Sequence, residues 1–163
     1  MKHLVIRTDI RKKLRDARIL LVDSNIFLSE LDNRTIDELI EILVNQDLKY
    51  IFSRNMKLVL YSRTNNGYQL NGTRNKNILY KNLNGIVLGD FINELCISKN
   101  VRDSNIVLIN SIECDKDVLS RVGFSVSTID APLHVKSNSY YISNMSGTSA
   151  FSEIIDLIVK SKS

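Results

Sequence analysis

Four apolar residues, Ile19 to Val22, run without interruption into Asp23. A short continuous apolar run closed by a carboxylate reads as a strand buried on both faces, with one acidic side chain at its C-terminal end. In open α/β sheets ligands bind at that end. The pattern recurs: Met56 to Tyr61 leads to Ser62, and Asn105 to Ile109 leads to Asn110. Ile78–Tyr80, Phe124–Val126 and Tyr140–Ile142 predict shorter strands, with one ring of Tyr140-Tyr141 turned in and one out.

The segments between them carry helical spacing. Asp9 to Ala17 reads as a short amphipathic helix with a charged outer face. Ile36, Leu39, Ile40, Leu43 and Val44 form one stripe behind Thr35, whose spacing to Glu38 is that of a capping box. Asp47 is a candidate cap for a second short helix, Leu48–Ser53, that stops at Asn55. Val87–Lys99 repeats apolar residues every three to four positions. Asp115–Val122 predicts a short helix closed by Gly123, and Ala150–Lys160 a final helix capped by Ser149. Ser24–Asp32 reads as a loop or short extension. Arg63–Asn77, with Asn65-Asn66-Gly67 and Asn71-Gly72, reads as a polar loop. Strands alternating with helices predict an α/β fold: a doubly wound, mainly parallel sheet with helices on both faces, in one domain over residues 1–163.

Composition narrows the class. The 163 residues are 44% hydrophobic and 25% charged, as in soluble globular proteins. No apolar run approaches the ~20 residues of a membrane span, and the first residues have no leader-peptide core, so the expectation is a cytoplasmic protein. Cys96 and Cys114 lack CxxC spacing and read as buried thiols, not a disulfide or metal pair. The net charge of +4 is uneven: residues 1–18 hold seven Lys/Arg against Asp9 and Asp16. No aromatic residues interleave with these cations. A solvated helix face is therefore favoured over a nucleic-acid surface. His3 and His134 have no ligand-like neighbours in sequence and read as surface residues.

Three C-terminal stretches carry more: NIVLINSIECDKDVLSRVG, FSVSTIDAP and YYISNMSGTSAFSEIIDLI. Together they resemble the end of a haloacid-dehalogenase-like phosphatase. The resemblance is to the 3-deoxy-manno-octulosonate 8-phosphate phosphatases and the related domain fused to some CMP-sialate synthetases. In that family a strand leads to Gly-Asp-Asp-x-x-Asp, a short helix ends at Val-Gly, Asp-Ala follows a strand, and a Gly-rich turn opens the last helix. Asp115, Val122, Gly123, Asp130, Ala131, Gly147 and Ala150 stand in the matching places.

The resemblance implies a chemistry and marks its gaps. The family's first strand ends in Asp-x-Asp, whose first residue attacks phosphorus and binds Mg²⁺ and whose second protonates the leaving oxygen. Here the pattern is Asp23-Ser24-Asn25. An amide cannot protonate an alkoxide, and general acid catalysis is worth about 10²–10⁴-fold. Ser62 fits the second motif, the phosphoryl-binding hydroxyl, and Arg63 beside it is a candidate substrate-binding residue. The family's lysine falls near Leu88 or Gly89, neither of which is cationic. The acidic fourth motif reads Asn110-Ser111-Ile112-Glu113-Cys114-Asp115, so Ser111 and Ile112 stand at lost metal-binding positions and Asp115 alone keeps its carboxylate. Glu113 is expected to face solvent. Asp23 and Asp115 thus imply either no cofactor or a weakly held Mg²⁺, in a pocket with two acids and no cation of its own. Asp23, Ser62 and Asp115 also have a local reading, as caps of the turns that follow them.

The expectation is a catalytically degenerate pseudo-phosphatase that acts through oligomerisation or partner binding in sialic or ulosonic acid metabolism. The alternative is a weak or altered Mg²⁺-dependent phosphatase using Asp23 on a sugar-acid phosphate. The resemblance implies a homo-oligomer, tetramer or dimer, with a sugar nucleotidyltransferase as a candidate partner. The family follows its first strand with an apolar β-hairpin that builds the tetramer. Leu31–Val44 reads as helical instead, so the assembly is expected to differ or to be absent.

Overall fold

The structure, a computed structural model, describes residues 6–31, 35–63 and 75–163. Six strands form one sheet: β1 (Ile19–Asp23), β2 (Lys57–Ser62), β3 (Ile78–Asn82), β4 (Ile106–Asn110), β5 (Phe124–Ser127) and β6 (Tyr141–Ile142). Their order is β3-β2-β1-β4-β5-β6, and every pairing is parallel. The chain crosses from β3 past β1 to β4, so the strand order reverses at the C-terminal ends of β1 and β4. That crevice is the standard ligand position of a doubly wound sheet.

The strands hold their places by alternation. In β1, Leu20 and Val22 pack into one core with Leu58 and Leu60 of β2 and Val107 and Ile109 of β4. Ile19 and Leu21 pack into the opposite core with Val59, Tyr61, Ile106 and Leu108. Both faces are buried, which is why these strands read as continuous apolar runs.

One face carries α1 (Thr8–Arg15), α2 (Ile36–Leu43), α3 (Lys49–Phe52) and α7 (Gly147–Ser161). The other carries α4 (Leu88–Lys99), α5 (Lys116–Arg121) and α6 (Leu133–Asn138). Thr35 does cap α2, its Oγ1 accepting from the Glu38 amide at 3.1 Å. Asn55 stops the next helix in the left-handed region, at φ 60°.

Several boundaries differ from expectation. Ser24–Glu30 is a 3-10 helix, anchored by Phe27 edge-on to Phe151 of α7 at 5.3 Å. A π-helical turn, Val44–Leu48, joins α2 to α3, and Asp47 lies inside it, accepting from Ser152 Oγ at 2.8 Å instead of capping. Of Tyr140-Tyr141, Tyr141 packs against the core and bonds Glu153 at 2.6 Å while Tyr140 is exposed, and both rings flank Phe124. The helix α6 was not expected at all. The turn dipeptides of 65–67 and 71–72, and His3, lie outside the described residues.

The last helix begins at Gly147, three residues before the expected start, and Ser149 is not its cap. Its first amides are met from across the fold: Glu30 accepts from the Thr148 amide at 3.0 Å and from its hydroxyl. Gly147 is at φ 55°, and a Cβ there would collide with the Glu30 carboxylate. Gly123 meets a different constraint. It does not adopt the left-handed conformation of a helix-closing glycine. A Cβ on it would collide with the Ser104 carbonyl, because its amide bonds Asp103 O at 3.0 Å. No helix among the described residues is long and apolar enough to cross a membrane.

Candidate functional site

β1 delivers Asp23 to the crevice almost fully buried, at 1% exposure. The strand ends there because the carboxylate turns the chain. Asp23 Oδ1 accepts from the Asn25 amide at 2.9 Å and starts the 3-10 helix. Beside it, β2 ends at Ser62, also buried, whose carbonyl accepts from Leu83 N at 2.8 Å.

The residue after Ser62 changes the site. Arg63 Nε lies 3.4 Å from Asp23 Oδ2. The pocket therefore has a cation, contrary to expectation. Parity explains it. Asp23 pairs in register with Tyr61, so Tyr61 and Arg63, two residues apart, share the face of Asp23. The guanidinium is tied in place: it donates to the Glu113 carbonyl, reaches Tyr61 Oη at 3.5 Å and sits 5.8 Å from the Tyr61 ring. The Asp23–Arg63 approach is an ion pair without an aligned hydrogen bond, and among the described residues Asp23 Oδ2 and Arg63 Nε have no other hydrogen-bond partner. Burial pushes the Asp23 carboxyl above the usual carboxylate range. The Asn25 amide and the Arg63 charge offset only part of that.

The remaining motif positions are used structurally. Asn25 donates through its amide to Ser111 Oγ at 3.4 Å. Asn110 folds its side chain over its own loop, bonding Ile112 O at 2.9 Å and Ile112 N at 3.3 Å. Ile112 turns an apolar group onto a pocket of about 20 Å³, room for roughly one water, shared with Asp23, Ser24, Asn25, Leu28, Ser62 and Arg63. Asp115 is the N-cap of α5, accepting from Asp117 N at 2.9 Å. It lines a cavity of about 250 Å³ with Leu88, Cys114 and Arg63, the residue that also lines the small pocket at Asp23. Burial also raises the Cys114 thiol.

Gly89, one of the two residues near which the resemblance puts a lysine, faces α5; its carbonyl accepts from Arg121 at 3.2 Å. Glu113 is exposed and bonds His134 at 2.6 Å, away from Asp23. Among the described residues no three His, Cys, Asp or Glu side chains gather as metal ligands. Mg²⁺ asks for six oxygens in near-octahedral array, usually with one or two carboxylates. A single carboxylate facing an arginine, beside Ile112, does not fit that ion well.

With this geometry in hand, the comparisons with known proteins are specific about shape. The fold is haloacid-dehalogenase-like. A 3-deoxy-D-manno-octulosonate 8-phosphate phosphatase from Yersinia pestis superposes with a TM-score of 0.72 at 15% identity, over 96% of this chain and 88% of that one. The Moraxella catarrhalis phosphatase of the same name, solved with magnesium, phosphate and KDO, gives 0.70 at 16% identity over 96% and 94%. A cobalt-bound deoxy-D-mannose-octulosonate 8-phosphate phosphatase from Haemophilus influenzae gives 0.67 at 16% over 92% and 91%. No family model and no curated protein matches the sequence. At these identities the haloacid-dehalogenase-like likeness is one of fold, and function has to be argued from Asp23 and its neighbours.

Proposed function

We propose that this chain is a haloacid-dehalogenase-like domain that does not turn over phosphate esters and works by association with other chains. One observation carries the reading: the carboxylate at the nucleophile position faces Arg63 at 3.4 Å. An attacking carboxylate needs open space in front of it for phosphorus and a metal to neutralise developing charge. Arg63 takes both the space and the charge. The leaving group finds an amide at Asn25, and the small pocket cannot take a phosphoryl group without moving Arg63.

Association is supported by large apolar side chains left exposed near the β5–β6 edge: Ile129, Leu133, Ile142 and Met145. The phosphatases of similar shape act on an octulosonate phosphate by name. That likeness supports a setting in acidic-sugar metabolism, with a second copy of this chain or a sugar nucleotidyltransferase as the partner.

The alternative, a weak phosphatase, draws on Oδ2 of Asp23, a buried oxygen without a hydrogen bond among the described residues. Purified protein incubated with Mg²⁺ and a panel of sugar phosphates separates the two. The proposal expects no phosphate release above an Asp23→Asn control. Release that the control lacks would establish the weak enzyme.

A further inference from the structure

At the opposite end of β1 from Asp23, three arginines converge on one concavity. Arg15 ends α1, Arg18 precedes β1, and Arg102 precedes the short 3-10 helix Asp103–Asn105. Together they line an open pocket of about 490 Å³ whose other walls are polar, Asn100 and Asn105 among them, with Asp16 its one carboxylate.

The scaffold beneath is fixed. Asn105 accepts from the Arg102 amide at 2.9 Å and donates to Asp16 O at 2.7 Å, and the Arg18 amide bonds Asn105 O at 2.7 Å. One side chain thus pins the two arginine-bearing segments next to each other.

A helix-dipole explanation covers Arg15, in the last turn of α1, and the neighbouring cations, but not Arg18 or Arg102. Carbonyl-rich helix ends attract positive charge. Lys162 donates to Arg15 O at 2.9 Å and Arg54 to Tyr50 O at 2.7 Å, which is that role. The side chains of Arg15, Arg18 and Arg102 bond to nothing among the described residues. Among the described residues no carboxylate forms an ion pair with any of them, and all three are exposed. Three guanidinium groups around one concavity, with Asp16 as its one carboxylate, leave an excess of positive charge, and an anion with several charged oxygens relieves it.

The lining decides which anion. It has no apolar or aromatic side chain, so it offers no surface for a base, a ring or an acyl chain. Guanidinium forks match phosphate oxygens two at a time. We infer that the Arg15–Arg18–Arg102 pocket binds a compact oligophosphate anion, either free or as the phosphate tail of a nucleotide. This site is independent of the reading given to the Asp23 pocket.

Calorimetric titration of the full chain with sodium tripolyphosphate at low salt tests it. Saturable one-to-one binding is expected, weakened roughly tenfold by each of Arg18→Gln and Arg102→Gln and unchanged by Lys116→Gln, an exposed cation on α5. Circular dichroism of each variant confirms the fold. Equal or tighter binding of ATP assigns the site to nucleotide tails, and weaker ATP binding assigns it to the free anion. No saturable binding at millimolar tripolyphosphate would overturn the inference. So would undiminished binding by both arginine variants, or binding of an RNA oligonucleotide where tripolyphosphate fails.

Discussion

Arg63 Nε stands 3.4 Å from Asp23 Oδ2, the cation a quarter exposed and the anion almost wholly buried. Removing one partner of such a pair strands the other. Arg63→Leu is therefore expected to cost about 2–3 kcal/mol, less than a fully buried pair because water reaches Arg63. The double variant Asp23→Asn with Arg63→Leu should recover part of that loss. Urea denaturation reads both. A cost under about 0.5 kcal/mol for Arg63→Leu, the level of an ordinary surface change, would mean the pair does not hold the site together.

Stability should also depend on pH through Asp23. Its folded-state pKa is raised above the unfolded value near 3.8 by burial. The folded state thus holds this proton more tightly than the unfolded state. That contribution is complete below the unfolded value and is lost as pH rises through the raised one. Asp23→Asn lacks the titration. The stability of the variant relative to the natural chain should therefore increase from about pH 4 to pH 7. Thermal melts at the two values check the sign; a relative decrease would show that Arg63 outweighs burial.

Glu30 and Gly147 should be coupled. Gly147→Ala places a methyl group where the Glu30 carboxylate sits, at a φ that also disfavours alanine. A loss of about 2 kcal/mol or more is expected. Glu30→Ala removes the cap on Thr148 at about 1 kcal/mol. In the double variant the collision is gone, so the two losses should sum to more than the double variant shows. Strict additivity in a denaturation cycle would contradict the contact.

Restoring one catalytic group should not restore catalysis. Asn25→Asp returns a carboxyl group to the acid position, yet Arg63 still faces Asp23 and Ile112 still lines the pocket. Phosphate release by this variant is expected to stay at the level of Asp23→Asn. A gain of 10²-fold, the low end for a general acid, would show that Asn25 was the only defect.

The sheet was legible because its strands are buried on both faces. ILLVD, KLVLYS and IVLIN could hardly be anything else, and alternation with helical stripes gave the doubly wound order. The helix ends were less so. The N-terminus of α7 is satisfied by Glu30, 118 positions away, so no local residue announces it. Leu133–Asn138 is too short, and Leu133 too exposed, to leave an apolar stripe. In the site, Asp23 was visible as the end of the first strand. The part played by Arg63 was not, because it depends on register between β1 and β2. The strand parity of Tyr61 and Arg63 was the signal available, and it becomes usable only once Tyr61 is known to lie beside Asp23.

A crystal structure from buffer containing Mg²⁺ and a phosphate mimic such as beryllofluoride tests the central claim most directly. The expected result is Arg63 still against Asp23, with neither ion nor mimic on the carboxylate. A fully coordinated divalent ion joining the mimic to Asp23, with Arg63 displaced, would contradict it.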